Sequence, residues 1–174
     1  MKRLTDNVMV LGNGNFNYFI VGQKEATLIE CGTSAGVSIF ARQWSDLENK
    51  PDIKYILVMH SHFDHVCGIP MLKDLFPAAQ VVASQVTHKM LSHEKLKPIL
   101  QRADALIIDA YTKKQLLPTI PGPLEIDRVK VDFTLGEGDT IIVDDGLKLE
   151  IIEAPGHSSC SLAAYLPNDQ VMFI

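Results

Sequence analysis

The sequence predicts a single mixed α/β (α+β) domain. Three observations carry this. Short apolar or alternating runs, each about five residues long, recur along most of the chain and read as strands. Helical periodicity appears between them, at residues 33–47, 69–76 and 96–110. The chain has 174 residues, 47% hydrophobic and 21% charged, which suits one domain with a real core and is short for two.

The chain opens as a β-meander. Residues 7–11 alternate, Gly12-Asn13-Gly14-Asn15 turns, residues 17–21 continue, and Gly22-Gln23-Lys24 turns into a third strand at 26–30. Gly12 and Gly14 lack the third glycine and the helix of a phosphate loop, so they read as a hairpin turn. Thr33 or Ser34 can cap a helix whose Val37, Phe40, Ala41, Trp44 and Leu47 recur at helical spacing as core positions. Pro51-Asp52 ends it and launches an apolar strand over 53–59. Beyond residue 68, Ile69, Leu72, Leu75 and Phe76 give a short helix, and residues 80–83 another strand.

Residues 84–128 differ. Ser84 reads as an N-cap, and Leu96, Ile99, Leu100, Ala103, Leu106, Ile107 and Ala110 form an apolar stripe interrupted early by Pro98. Residues 111–123 carry three prolines and few regular signals. The segment is expected to be a helical and loop insertion, serving as a lid, a subunit contact or a plain cover for the sheet. The chain then returns to strand patterns at 130–135, 140–143, 147–154, 161–166 and 171–174, with turns at 136–139, 144–146 and 167–169.

The chemistry concentrates after the 53–59 strand. His60-Ser61-His62-Phe63-Asp64-His65 holds three of the six histidines and an aspartate. Imidazole nitrogens and a carboxylate at the rigid end of a strand suit a divalent metal. Residues two apart in an extended segment face the same way, so His60 and His62 can converge on one ion. Asp64 and His65 converge elsewhere if the loop bends. His157, in Pro155-Gly156-His157-Ser158-Ser159-Cys160 at a second strand end, can supply a third nitrogen. Three protein ligands plus water is the open arrangement of a catalytic zinc. A metal there would lower the pKa of bound water to about 7. Asp64 is the expected catalytic residue, orienting that water and accepting its proton. His88 and His93, isolated in the 84–128 segment, read as surface residues. Cys67 and Cys160 read as small buried hydrophobes, and Ser158, Ser159 and Ser161 as partners of the loop backbone; no Gly-x-Ser-x-Gly elbow is present.

The formal net charge of −5 tilts against a nucleic-acid partner. No apolar run approaches the roughly 18–20 residues of a membrane span. Met1 to Asn7 is followed by no apolar h-region, and three scattered cysteines give no disulfide framework, so the expected compartment is the cytoplasm.

His60-x-His62-x-Asp64-His65 resembles the signature of the metallo-β-lactamase superfamily, and Pro155-Gly156-His157-Ser158 resembles that family's third-histidine segment. The opening meander, Leu28-Ile29-Glu30-Cys31-Gly32 and the order of elements match as well, over nearly all of the chain outside 84–128. The resemblance implies a four-layer αββα sandwich with one or two metals at one edge of the sheets. It implies His60, His62 and His157 as ligands of a first metal and Asp64 and His65 as ligands of a second. Zinc is the expected metal, with iron as an alternative. Many members carry aspartate at the position of Glu30 and threonine at that of Cys31. After a strand like 171–174 they carry a glycine-aspartate pair that bridges two metals, then a final histidine. The expectation is therefore a sandwich with its second half incomplete. An exposed sheet edge would invite association, which makes a homo-oligomer an expectation too.

The function the resemblance implies is metal-dependent hydrolysis of a small-molecule ester, thioester, lactone or amide, in the manner of glyoxalase II-like members. The alternatives are an iron-dependent redox enzyme of the same fold, flavodiiron-like reductase or sulfur dioxygenase, and a non-catalytic truncated scaffold. Diiron reductases usually carry glutamate at the position of His62, which favours zinc here.

Overall fold

Two β-sheets stack face to face in a computed structural model that describes residues 2–144 and 146–174. The first is seven-stranded, in the order β1 (Lys2–Arg3), β2 (Val8–Gly12), β3 (Asn17–Val21), β4 (Glu25–Ile29), β5 (Asp52–Leu57), β6 (Gln80–Ser84), β7 (Phe133–Leu135). Strands β1 to β4 pair antiparallel, as tight turns dictate, and β4 to β7 pair parallel. The three parallel crossovers are made by α1 (Ser34–Ser45), by α2 (Phe63–Val66) with α3 (Ile69–Leu75), and by α4 (Gln85–Leu91) with α5 (Lys97–Lys113). The second sheet is antiparallel, ordered β11 (Val171–Phe173), β10 (Leu162–Leu166), β9 (Leu147–Glu153), β8 (Thr140–Asp144).

Two cores follow from the alternation of side chains along each strand. Leu11, Tyr18, Ile20, Leu28 and Ile56 point outward from the first sheet onto Val37, Phe40, Ile69 and Leu72 of the helices. Val8, Val21, Ile29, Leu57 and Val82 point the other way, onto Ile141, Leu149, Ile151, Leu162 and Phe173 of the second sheet. The result is helices, sheet, sheet. No helix among the described residues covers the outward face of the second sheet, where Ile142 and Met172 lie exposed.

Most expected elements form where periodicity placed them, with instructive differences. Thr33, rather than Ser34, caps α1: its Oγ1 accepts from the Gly36 amide at 3.2 Å. Ser84 caps α4 by accepting from the Thr87 amide at 3.1 Å. Pro98 does not interrupt the long helix but sits in its first turn, where a missing N–H costs nothing. The expected strand at 130–135 shrinks to three residues. The Asp132 carboxylate accepts the Val81 amide at 2.7 Å, taking a bond the ladder would otherwise use. The apolar stripe of α5 is displaced as well: Ile99 and Leu106 are exposed, and the buried positions are Leu100, Asp104 and Tyr111. Asp104 is buried because its Oδ1 accepts the Ser34 amide at 2.9 Å, tying α5 to the start of α1. The two-residue edge strand β1 and the single-turn α2 carry no periodic signal and were not expected. The turn expected at 144–146 includes Asp145, which lies outside the described residues.

Candidate metal centre

The parallel strands set the site. At the C-terminal end of β5 the chain leaves the ladder gradually: the Val58 amide donates to Val82 O at 2.8 Å, and Met59 O accepts the Leu162 amide of the other sheet at 2.8 Å. That second bond joins the two sheets at the point where His60 begins. Three residues later the single turn of α2 starts at Phe63, with His62 as its N-cap residue. This is the bend that separates His60 and His62 from Asp64 and His65. Gly68 follows because nothing larger fits: a Cβ there would lie 1.9 Å from Cys31 O.

His60 Nε2 lies 3.2 Å from His62 Nδ1, and His157 Nε2 lies 3.1 Å from the same His62 nitrogen. One ligand atom from each of the three rings lies within 4.8 Å of the others. Zinc held by imidazoles at about 2.0–2.1 Å with tetrahedral angles places its ligand nitrogens about 3.3 Å apart. The two pairs through His62 meet that spacing, and the third pair lies within 4.8 Å, close enough for one ion to gather all three rings. His60 is buried, while His62 and His157 are exposed, so the group is closed on the protein side and open to solvent on the other. Burial, reinforced by His65, His62 and His157, pushes the His60 imidazole down to a pKa of about 4. His60 is therefore neutral at physiological pH and offers a lone pair.

Asp64 and His65 stand beside the trio as a separate pair. Asp64 Oδ2 is 3.7 Å from His65 Nε2, and the His65 ring centroid is 3.8 Å from that of His60. His65 Nδ1 is 2.5 Å from Glu30 Oε2. The carboxylate can only accept, so Nδ1 carries a proton in either charge state, which leaves Nε2 as the nitrogen that could serve a metal once it is deprotonated. Burial opposes a charge on His65, but the hydrogen bond and negative charge of Glu30 outweigh it and hold its pKa above the ordinary imidazole value. Glu30 itself has φ of 82°, a left-handed conformation that costs a non-glycine residue about 1–2 kcal/mol. It is held there by its amide, which donates to Leu57 O at 3.0 Å, and by His65.

A cleft of about 450 Å³ opens onto His60, His65 and His157, with Met59, Leu162 and Ile174 as apolar walls. His88 and His93 are exposed and far along the chain from these ligands, as expected. Cys31, Cys67 and Cys160 are free and buried. Cys160 is more than a small hydrophobe: its sulfur lies within hydrogen-bonding distance of Ser61 and Ser158. Burial disfavours its thiolate, but hydrogen bonds from Ser158, Ser61 and Thr87 outweigh this and lower its pKa. Nothing in the sequence pattern signalled this sulfur network, because its members come from three elements.

No helix among the described residues is long and apolar enough to cross a membrane. A metallo-beta-lactamase fold-containing protein of Sulfurisphaera tokodaii is 27% identical over 143 residues, covering 81% of this chain and 49% of its own length. Glyoxylase B2 of Dictyostelium discoideum is 26% identical over 127 residues, covering 71% of this chain and 35% of its own. The chain thus spans about half or less of the length of these relatives. Among solved structures, a Cronobacter sakazakii metallo-beta-lactamase variant superposes with a TM-score of 0.69 at 23% identity, over 98% of this chain and 61% of that one. The subclass B3 enzyme BJP-1 of Bradyrhizobium japonicum gives 0.67 at 24%, over 95% of this chain and 55% of that one. The sequence profile of the metallo-beta-lactamase superfamily matches residues 12–174, and with the two-sheet fold in place the chain belongs to that superfamily.

Proposed function

We propose that this chain carries the metal centre of a zinc-dependent hydrolase acting on a small-molecule ester, thioester, lactone or amide. The observation that carries the reading is the convergence of His60 Nε2, His62 Nδ1 and His157 Nε2 from two different sheets. These three would hold the first ion, and Asp64 with His65 would contribute to a second. A divalent metal bound there supplies Lewis-acid chemistry, lowering the pKa of water and polarising a carbonyl oxygen.

The protein's own groups do the rest. Glu30 locks the tautomer and orientation of His65. Asp64 is half-buried, close enough to the ligands to orient a water and accept its proton, and open enough for that proton to leave to solvent. Met59, Leu162 and Ile174 give the cleft a wall that accepts the carbon part of an acyl group and keeps water off it. Both sheets contribute ligands, so the stacking of the sheets is what assembles the site. Glyoxylase B2, by its printed name, supports a glyoxalase-like carbonyl substrate over a β-lactam, since the lactamase structures share only the fold.

The test is hydrolysis by zinc-loaded protein of a panel of aryl esters, alkyl thioesters and lactones. Turnover is expected to be abolished by a chelator, restored by zinc, and lost in His157→Ala. Protein holding stoichiometric zinc yet hydrolysing none of the panel, or isolated with tightly bound iron and redox-active, overturns the reading.

A further inference from the structure

We propose that Cys160 is a positioning residue of the metal centre: its sulfur ties the loop bearing His157 to the loop bearing His60 and His62 and sets the distance between them. This rests on the metal-centre reading above and extends it to a residue that touches no proposed ligand.

The two loops belong to different sheets. The His157 loop is held by few bonds of its own; Gly156 N–H donates to Ser158 O at 3.1 Å, and Ala154 N–H to Ser161 O at 3.0 Å. Across the gap, the Leu162–Met59 backbone bond is one tie. The Cys160 sulfur makes another. Ser61, between the two histidines, donates its amide to Cys160 Sγ at 3.4 Å, and its Oγ lies 3.3 Å from the same sulfur. Ser158, adjacent to His157, places its Oγ 3.2 Å from Cys160 Sγ. Ser61 and Ser158 are each next in sequence to a proposed ligand, so one sulfur holds both sides of the trio.

Ser61 Oγ also lies 3.3 Å from Met90 Sδ, a thioether that can only accept. Between Cys160 Sγ and each of the two serine hydroxyls either atom can donate, while the Ser61 amide donates to the sulfur in either case. Ser161 Oγ lies 2.7 Å from Ser158 Oγ. The contacts Ser161, Ser158, Cys160, Ser61, Met90 form one continuous chain through three elements, and Cys160 is the member that bridges the two loops. The residue is 2% exposed, and its carbonyl accepts from Ser84 Oγ at 2.9 Å, so the backbone carrying the sulfur is fixed to the start of α4. A hydroxyl can both donate and accept as a thiol does, whereas a methyl group can do neither.

The test uses cobalt(II) titrated into metal-free protein and followed by its visible absorption, with melting temperature of the metal-free protein measured alongside. Cys160→Ala is expected to weaken cobalt binding about 10-fold, the lower end for groups that orient ligands from outside the coordination sphere, and to change the shape of the cobalt band. Cys160→Ser restores most of the affinity and the band, since the hydroxyl keeps the chain intact. Ser158→Ala, which cuts the chain on the other side of the sulfur, shifts the band in the same direction and carries the test should Cys160→Ala not fold. A Cys160→Ala protein with wild-type cobalt affinity and spectrum, whatever its melting temperature, overturns the proposal. So does a Cys160→Ser protein as impaired as Cys160→Ala. Wild-type protein that takes up no cobalt overturns the metal-centre reading itself, and this inference with it.

Discussion

Glu30 occupies a left-handed backbone conformation that glycine adopts freely, and it keeps that conformation while its carboxylate grips His65. Replacing it separates the two effects. Glu30→Ala keeps the strain and removes the hydrogen bond between a partly buried carboxylate and a partly buried imidazole, a loss of about 1.5–3 kcal/mol for a bond to a charged group. Glu30→Gly removes the same bond but relieves about 1–2 kcal/mol of strain. Glycine's freedom in the unfolded chain takes back about 0.5–1 kcal/mol. At the middle of each range the difference leaves Glu30→Gly about 0.8 kcal/mol more stable than Glu30→Ala, reversing the usual order of the two residues in or beside a strand. In a domain of this size that is a melting-temperature gap of about 1–4 °C. Urea and thermal unfolding of both variants in a chelator, without metal, measure it. Glu30→Ala equal to or more stable than Glu30→Gly would refute the strain at this position.

Asp104 gives a pH prediction. Burial raises its pKa, although the bonds to Ser34 pull it down in part. A raised carboxyl pKa means that the folded state prefers the proton. The associated stability is present below the ordinary carboxyl range and lost as pH rises through the folded-state value. Asp104→Asn keeps an acceptor for the Ser34 amide and removes that dependence, so urea unfolding should show it gaining on wild type from pH 4 to pH 8; a constant offset would contradict this. Gly68→Ala places a methyl carbon 1.9 Å from Cys31 O, and unfolding should show a loss of about 3 kcal/mol, the upper end for overpacking. Tyr111→Phe removes the hydroxyl that accepts from Asn15 Nδ2 at 2.8 Å and joins the β2–β3 hairpin to α5. Unfolding should show a loss of about 1 kcal/mol.

Much of the fold was legible because local pattern and tertiary role agree. Leu28, Ile29, Ile56 and Leu57 are apolar without alternation because their strands are buried on both faces. Gly12 and Gly14, both at positive φ, turn β2 into β3 as their spacing suggests. The failures come from polar side chains acting over long separations. Asp132 shortens β7 by bonding Val81, 51 residues away, and Asp104 occupies a buried helix position because Ser34 lies 70 residues away. Neither partner is visible in a window of sequence. The site divides in the same way. His60 and His62 share a face by two-residue periodicity, whereas His157 meets them only through the stacking of two sheets. The motif alone suggested that meeting. The φ of Glu30 and the sulfur chain through Cys160 left no local trace at all.

The most direct test of the central claim is anomalous diffraction at the zinc edge from crystals of the zinc-loaded protein. The account predicts a peak bonded to His60 Nε2, His62 Nδ1 and His157 Nε2, each at about 2.0–2.1 Å. A well-ordered zinc bound elsewhere, with the His157 ring turned away from the other two, would contradict it.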